Sequence, residues 1–295
     1  MNHSSTFRRG LTAAVAAYVA WGLLPLYFRA LHDVPPVELI GWRILFTLPV
    51  CLVIVAARRQ GPDVRAAFAN PRVLLQLAIS AALIGANWLI FVIAINEGHV
   101  LATSLGYYIN PLINVLLGTM LLGERLSRVQ WTAVGLAGAG IALLLAGALD
   151  TLIVAMSLAL TFAFYGYVRK KAPVGSVPGL TVETALLALP ALVVVWIWAG
   201  SPAGSSMAPG SPSALLLAFS GVATAIPLLL FAVAARALPL STLGFVQFIA
   251  PTISFTLGLT VFGESLDPAR LGCFALIWSA IALYSWDMLR RARSA

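Results

Sequence analysis

An all-α membrane protein, with ten transmembrane helices arranged as two inverted five-helix repeats, is the fold class this sequence predicts. Three observations carry the prediction. The composition suits lipid rather than water, the chain divides into ten apolar runs of spanning length, and a set of residues returns 140 positions later.

Apolar residues make up 61% of the 295-residue chain and charged ones 9%, with a mean hydropathy of +0.97. Soluble domains run at about 45–50% apolar and about 25% charged. A water-soluble fold of this length has too little interior to hide so much apolar surface. The net charge of +8 does not point to nucleic acid, because the basic residues form short clusters between uncharged runs rather than one basic face.

A helix needs about 20 residues to cross about 30 Å of hydrocarbon. The first run, 11–29, follows Arg8-Arg9 as a signal peptide would. It is longer than a secretory core of roughly 7–15 residues and precedes no small-residue cleavage site, so we read an uncleaved helix. The next four runs are 37–57, 73–95, 101–121 and 129–147. The second five are 151–169, 180–199, 213–235, 240–262 and 269–289. The longest connections are 58–72 and the Gly/Ser/Pro-rich 200–212, and neither is long enough for an inserted domain. Strands are not an alternative, since an open sheet cannot satisfy its backbone in lipid.

Basic residues set the expected orientation. With the N-terminus inside, the inner segments hold Arg8, Arg9, Arg58, Arg59, Arg65, Arg72, Arg125, Arg128, Arg169, Lys170, Lys171, Arg236, Arg290, Arg291 and Arg293. That is 15 of the 18 basic residues, and an even number of spans returns the C-terminus to the same side. Both termini are therefore expected on the cytoplasmic side.

Pro111, Gly123-Glu124 and Ile141-Ala142-Leu143 recur at the 140-residue offset as Pro251, Gly263-Glu264 and Ile281-Ala282-Leu283. Ser80 and Phe91 recur likewise as Ser220 and Phe231. Looser matches pair Trp21-Gly22 with Tyr165-Gly166, Glu38 with Glu183, and Pro49 with Pro190. The expected domains are 1–147 and 150–290, each of five helices. An odd number makes the halves antiparallel, the arrangement of secondary transporters that bind at the interface between repeats.

Polar groups within spans are costly and mark candidate sites. Arg43 lies six residues into the second span, about 9 Å along the helix, placed to meet an anionic solute or to pair with Glu38. Thr103, Tyr107, Asn110 and Asn114 share a face of the fourth span, with a kink expected at Pro111. Gln247, Pro251 and Ser254 match them on the ninth. The third span contributes Gln76, Ser80 and Asn87 with Trp88 alongside; Tyr18, Trp21, Thr161 and Tyr165 add aromatic and hydroxyl groups from the first and sixth. As substrate contacts we expect Arg43, Asn87, Tyr107, Asn110 and Asn114, with Tyr18, Trp21, Trp88, Tyr165 and Gln247 as walls. The competing reading is that the amides and hydroxyls only join helices. Glu38 and Glu183 are the candidates for a coupled proton, and Pro111 and Pro251 for hinges. The two Gly-Glu pairs are expected to end spans, each glutamate serving the start of the next helix. Ala133, Gly135, Ala137 and Ala139 suit close helix packing or a dimer seam, so both monomer and homodimer stay open.

No cofactor is expected. The sequence has no phosphate loop and no HExxH; its histidines, His3, His32 and His99, fall outside the spans, and no lysine lies midway through one. Cys51 and Cys273 read as buried hydrophobes, and no acid, base or nucleophile set suggests an enzyme.

Several stretches together resemble the RarD family, in the EamA-type branch of the drug/metabolite transporter superfamily. They are Ala17-Tyr18 with Trp21-Gly22, Glu38 with Arg43, Asn87-Trp88, Ser104-Leu105-Gly106-Tyr107-Tyr108-Ile109-Asn110-Pro111, Leu122-Gly123-Glu124-Arg125, Gln130-Trp131, and Phe162 to Gly166 with Val168-Arg169-Lys170. In the last four spans only Gln247, Pro251 and Gly263-Glu264 match. The resemblance implies a ten-helix inverted-repeat exporter of drugs or metabolites in the bacterial inner membrane, with a cavity formed by spans one, three, four, six, eight and nine. An uncoupled channel for a small solute is the alternative reading.

Overall fold

The computed structural model describes residues 3–97, 100–145, 152–201, 204–208, 210–263 and 268–294. It contains twelve helical elements, and among the described residues none is a strand. They are α1 (His3–Arg29), α2 (Pro36–Ala57), α3 (Gly61–Ala69), α4 (Pro71–Asn96), α5 (Val100–Leu122), α6 (Arg128–Leu145), α7 (Leu152–Lys171), α8 (Ser176–Ala199), α9 (Ala214–Ala237), α10 (Leu240–Gln247), α11 (Ile249–Thr260) and α12 (Pro268–Ser294). With α10 and α11 taken as one segment, nine spans among the described residues are long and apolar enough to cross a membrane. The expected fifth, α6, is not one of them; its 18 residues are rich in glycine and alanine.

Local signals explain where the helices start. Pro36, Pro62, Pro71 and Pro268 each sit in a first turn, where the missing N–H has no partner to lose. Asn70 Oδ1 accepts from the N–H groups of Arg72 and Val73 at 3.1 and 3.3 Å, capping α4. At α6, the Ser127 hydroxyl accepts from Gln130 N–H at 3.0 Å while Gln130 Oε1 accepts from Ser127 N–H at 2.9 Å, a capping box.

The expected connection 58–72 holds a helix, α3, that sequence reading missed. Its signal was present: Pro62 and Asp63 in the first turn, then an apolar face through Val64, Ala67 and Phe68. Ala67 packs with Leu77, Ala172, Val174 and Val182. The expected ninth span breaks in two at Phe248, which leaves Pro251 in the first turn of α11. At its partner position, Pro111, α5 continues unbroken. Within 200–212, Ser205 and Ser206 fold back onto Glu38.

Helices α1, α2, α9 and α10–α11 pack on one side, α4, α5 and α7 on the other, with α8 bridging α2 and α4. Helices α6 and α12 lie against one another, with Ala133 and Ala137 fully buried against Cys273, Ile277 and Ala280. Two of the four small residues therefore serve packing within the chain; Gly135 and Ala139 face outward.

Candidate functional site

A cavity of about 560 Å³ separates the two groups of helices. It draws on α1, α2, α4, α5, α7, α9, α10 and α11, so α2 joins the six spans that the family resemblance implied. One end reaches solvent beside the connection between α1 and α2, where the His32 side chain is 73% exposed and paired to Asp33 at 3.1 Å. Tyr107, 41% exposed, faces the cavity near this end and packs against Phe91 at 6.1 Å.

The other end is shut by aromatic rings. Tyr18, Trp21 and Phe162 form the floor, and Phe231 and Tyr165 lie in the layer beneath it. Phe231 stacks on Tyr165 at 5.7 Å and meets Trp21, Phe162 and Tyr18 at 5.7, 5.3 and 6.4 Å. Such ring contacts add about 0.5–1.5 kcal/mol each beyond area burial. Deeper still, the Glu124 carboxylate accepts from Leu240 N–H (2.6 Å), Ser241 N–H (3.0 Å) and the Ser241 hydroxyl (2.7 Å). Glu124 thus caps α10 rather than α6, its neighbour in sequence, and corrects that expectation. Lys170 Nζ donates to the carbonyls of Ala235 and Leu238 at the same end. Glu264, the counterpart of Glu124, lies outside the described residues.

Seven of the ten expected contact and wall residues line the cavity: Tyr18, Trp21, Arg43, Asn87, Trp88, Tyr107 and Gln247. Asn110, Asn114 and Tyr165 do not. Asn110 Nδ2 donates to Ala159 O at 2.7 Å, and Asn114 Nδ2 donates to Asn110 Oδ1 (3.1 Å) and Gln247 Oε1 (2.9 Å). They tie α5 to α7 and α10, the helix-joining role that polar residues take in lipid. Gly244 lets α10 reach α5 here, since a Cβ on it would lie 2.6 Å from Pro111 O. Tyr165 lies beneath the floor and is fully buried. Asn87 is intermediate: it lines the cavity, yet its Nδ2 donates to Leu158 O and Thr161 Oγ1, both at 2.9 Å.

Arg43 stands apart. Its Nε donates to Thr224 Oγ1 at 3.1 Å, and its guanidinium lies over the rings of Phe28 (5.4 Å) and Trp88 (5.3 Å). The alternative partner, Glu38, is occupied. That carboxylate is fully buried and accepts from Trp42 Nε1, Ser205 Oγ, Ser206 N–H and Ser206 Oγ at 3.0, 2.9, 2.8 and 2.6 Å. Glu183 is also buried, in an ion pair to Arg169 Nη1 at 3.3 Å. It borders a small void that shares Ile84, Trp88 and Leu228 with the cavity wall. Arg169, read from sequence as an inner-loop charge, is in fact 1% exposed between α7 and α8. Sequence reading missed Phe28, Thr224, Phe162 and Phe231, apolar or small residues that nothing in periodicity separates from ordinary span residues.

The model of the EamA-like transporter family matches residues 8–146. The chain is 45% identical over 290 residues to a Pseudomonas aeruginosa protein named an uncharacterized transporter, with 98% of this chain and 97% of that one covered. It is 41% identical over 288 residues to Protein RarD of Escherichia coli, covering 97% of each. A further relative, the chloramphenicol-sensitive protein RarD of Pseudomonas aeruginosa, is 30% identical over 291 residues, with 97% and 96% covered. A solved crystal structure aligns over 96% of this chain and 97% of its own with a TM-score of 0.72 at 20% identity, a shared fold. Identity at this level over nearly the full length places the chain in the RarD family of EamA-like membrane transporters, within the drug/metabolite transporter superfamily.

Proposed function

We propose that this transporter exports small organic solutes across the bacterial inner membrane by alternating access, using the cavity as its central site. The observation that carries the reading is the asymmetry of that cavity. It meets solvent at His32 and is floored at the opposite end by Tyr18, Trp21 and Phe162. A conducting channel needs a continuous path, which the aromatic floor opposes. The cluster of basic residues at the closed end supports an outward-facing state with both termini inside.

The reading counts α6 as a span, giving ten, and takes 1–147 and 150–290 as inverted repeats. Packing supports this. Exchanging each helix for its counterpart turns α1–α9 into α7–α4, α1–α11 into α7–α5, and α2–α9 into α8–α4. The pairs α2–α8, α5–α10 and α6–α12 map onto themselves. The glycines of both Gly-Glu pairs adopt left-handed backbone, Gly123 at φ 66° and Gly263 at φ 68°. The EamA family model also ends at 146, beside the expected boundary.

The test is spin-label distance measurement in nanodiscs, in a background without Cys51 and Cys273. One label pair spans the open end, at His32 and Glu97, and another the closed end, at Arg9 and Lys171. Alternating access gives two populations at each end, the short distance of one accompanying the long distance of the other. Single distributions at both ends that no condition moves would sink this mechanism and leave the channel reading.

A further inference from the structure

The cavity contains one unanswered charge. Among the described residues its lining includes no aspartate or glutamate, and its basic members are His32 at the rim and Arg43 within. Among the described residues, the ion pairs do not involve Arg43. The guanidinium uses Nε on Thr224, and among the described residues neither Nη group, with four N–H donors between them, has an acceptor. A cation at membrane depth is expensive, and proteins that keep one normally pair it. The rings of Phe28 and Trp88 compensate only in part. Arginine rather than lysine fits the geometry, because the paired Nη groups match the two oxygens of a carboxylate.

From this we infer that the transported solute is an amphipathic organic monoanion, whose carboxylate is gripped by Arg43 and whose flat apolar body lies among Trp21, Trp88, Phe91 and Phe162. This deepens the transport reading and rests on it. One guanidinium neutralises one charge, which favours a carboxylate over a doubly charged phosphate. A volume of about 560 Å³ takes a body of one or two fused rings with room to turn. A cationic solute finds no carboxylate among the described wall residues, and a neutral one leaves Arg43 uncompensated.

Three probes of one shape test this: indole-3-acetate, indole-3-acetamide and tryptamine, which share a ring system and differ in charge. Binding to purified full-length protein is read by thermal shift and by isothermal titration calorimetry. The acid is expected to raise the unfolding midpoint, with the amide and the amine giving at least about tenfold weaker binding, the ratio for losing one charge-assisted hydrogen-bonded pair. Arg43→Gln is expected to remove the preference for the acid, and Arg43→Lys to keep part of it. The comparison among probes needs no variant, so a poorly folding Arg43→Gln does not blunt it. An amide or amine that binds as well as the acid overturns the inference, as does the absence of any acid-dependent shift or an acid preference that survives Arg43→Gln. None of these outcomes touches the label distances that test alternating access.

Discussion

Substituting Glu124 should open the closed end. Its carboxylate reaches from the turn after α5 to the first turn of α10, and so spans the two halves of the chain. Glu124→Ala leaves three donors without their acceptor: the N–H groups of Leu240 and Ser241 and the Ser241 hydroxyl. Loss of a helix cap costs about 0.5–2 kcal/mol, and a hydrogen bond to a charged group is worth about 1.5–3 kcal/mol. Glu124 is only half buried, so water recovers some of this, and a net loss of about 2 kcal/mol is the working figure. That changes the ratio of closed to open at this end by about 30-fold.

The carboxylate also lies over Gly118, where a Cβ would come 2.5 Å from Oε2. Gly118→Ala should therefore displace the same latch without touching its chemistry, and Glu124→Gln should give an intermediate effect because one acceptor oxygen survives. The assay is the Arg9–Lys171 label pair together with thermal unfolding in detergent. The expected result is growth of the long-distance population in the order Glu124→Gln, then Gly118→Ala and Glu124→Ala. A fall in unfolding midpoint with unchanged distances would refute the latch and leave Glu124 a static strut.

Gly244→Ala should destabilise by about 1–3 kcal/mol, the cost of overpacking, because its Cβ meets Pro111 O at 2.6 Å; Gly135→Ala, exposed and with nothing within 4 Å, should stabilise slightly, so the two unfolding midpoints should move in opposite directions. Asn114→Leu should lower the midpoint, since it severs bonds to Asn110 and Gln247 worth about 0.6 kcal/mol each in lipid, while solute affinity measured in the same samples stays near wild type. Arg169→Leu alone strands the buried Glu183 and should cost about 3–5 kcal/mol, whereas Arg169→Leu with Glu183→Leu should recover most of it; if the double variant is stable yet transport no longer follows a proton gradient, Glu183 is the coupling group. Cys51 and Cys273, both fully buried, should react with thiol reagents only on unfolding.

Most of the architecture was legible because lipid imposes length and apolarity on every span, and both can be read from a string of residues. The exceptions have local causes. Helix α3 is too short and too polar for a spanning-length window, and only its first-turn proline and its apolar spacing reveal it. The break at Phe248 had a sequence signal in Pro251, but Pro111 carries the same signal at the equivalent position of α5 and leaves that helix intact. A proline permits a break; whether it happens depends on what packs around it, which for α5 includes Gly244 pressed against the Pro111 carbonyl.

The site was harder to read, since a polar residue in a span shows its cost but not its partner. Arg43 and Asn110 raise the same suspicion in the sequence, and the structure separates them by where each one's donors go. The Asn110 side chain donates to Ala159 O on α7 and accepts from Asn114 one turn along α5, and it is 1% exposed. Arg43 spends one donor on Thr224 and turns the remainder to the cavity. The same test sorts the acids. Glu38 is satisfied four times over by Trp42, Ser205 and Ser206, so it holds the α2 end in place. Glu183 has a single ion pair and borders a void that touches the cavity wall, so of the two candidates for a coupled proton it is the one with unmet bonding capacity. In a membrane interior, where every polar group seeks a partner, the group left with free donors or acceptors is the one waiting for something that arrives and leaves.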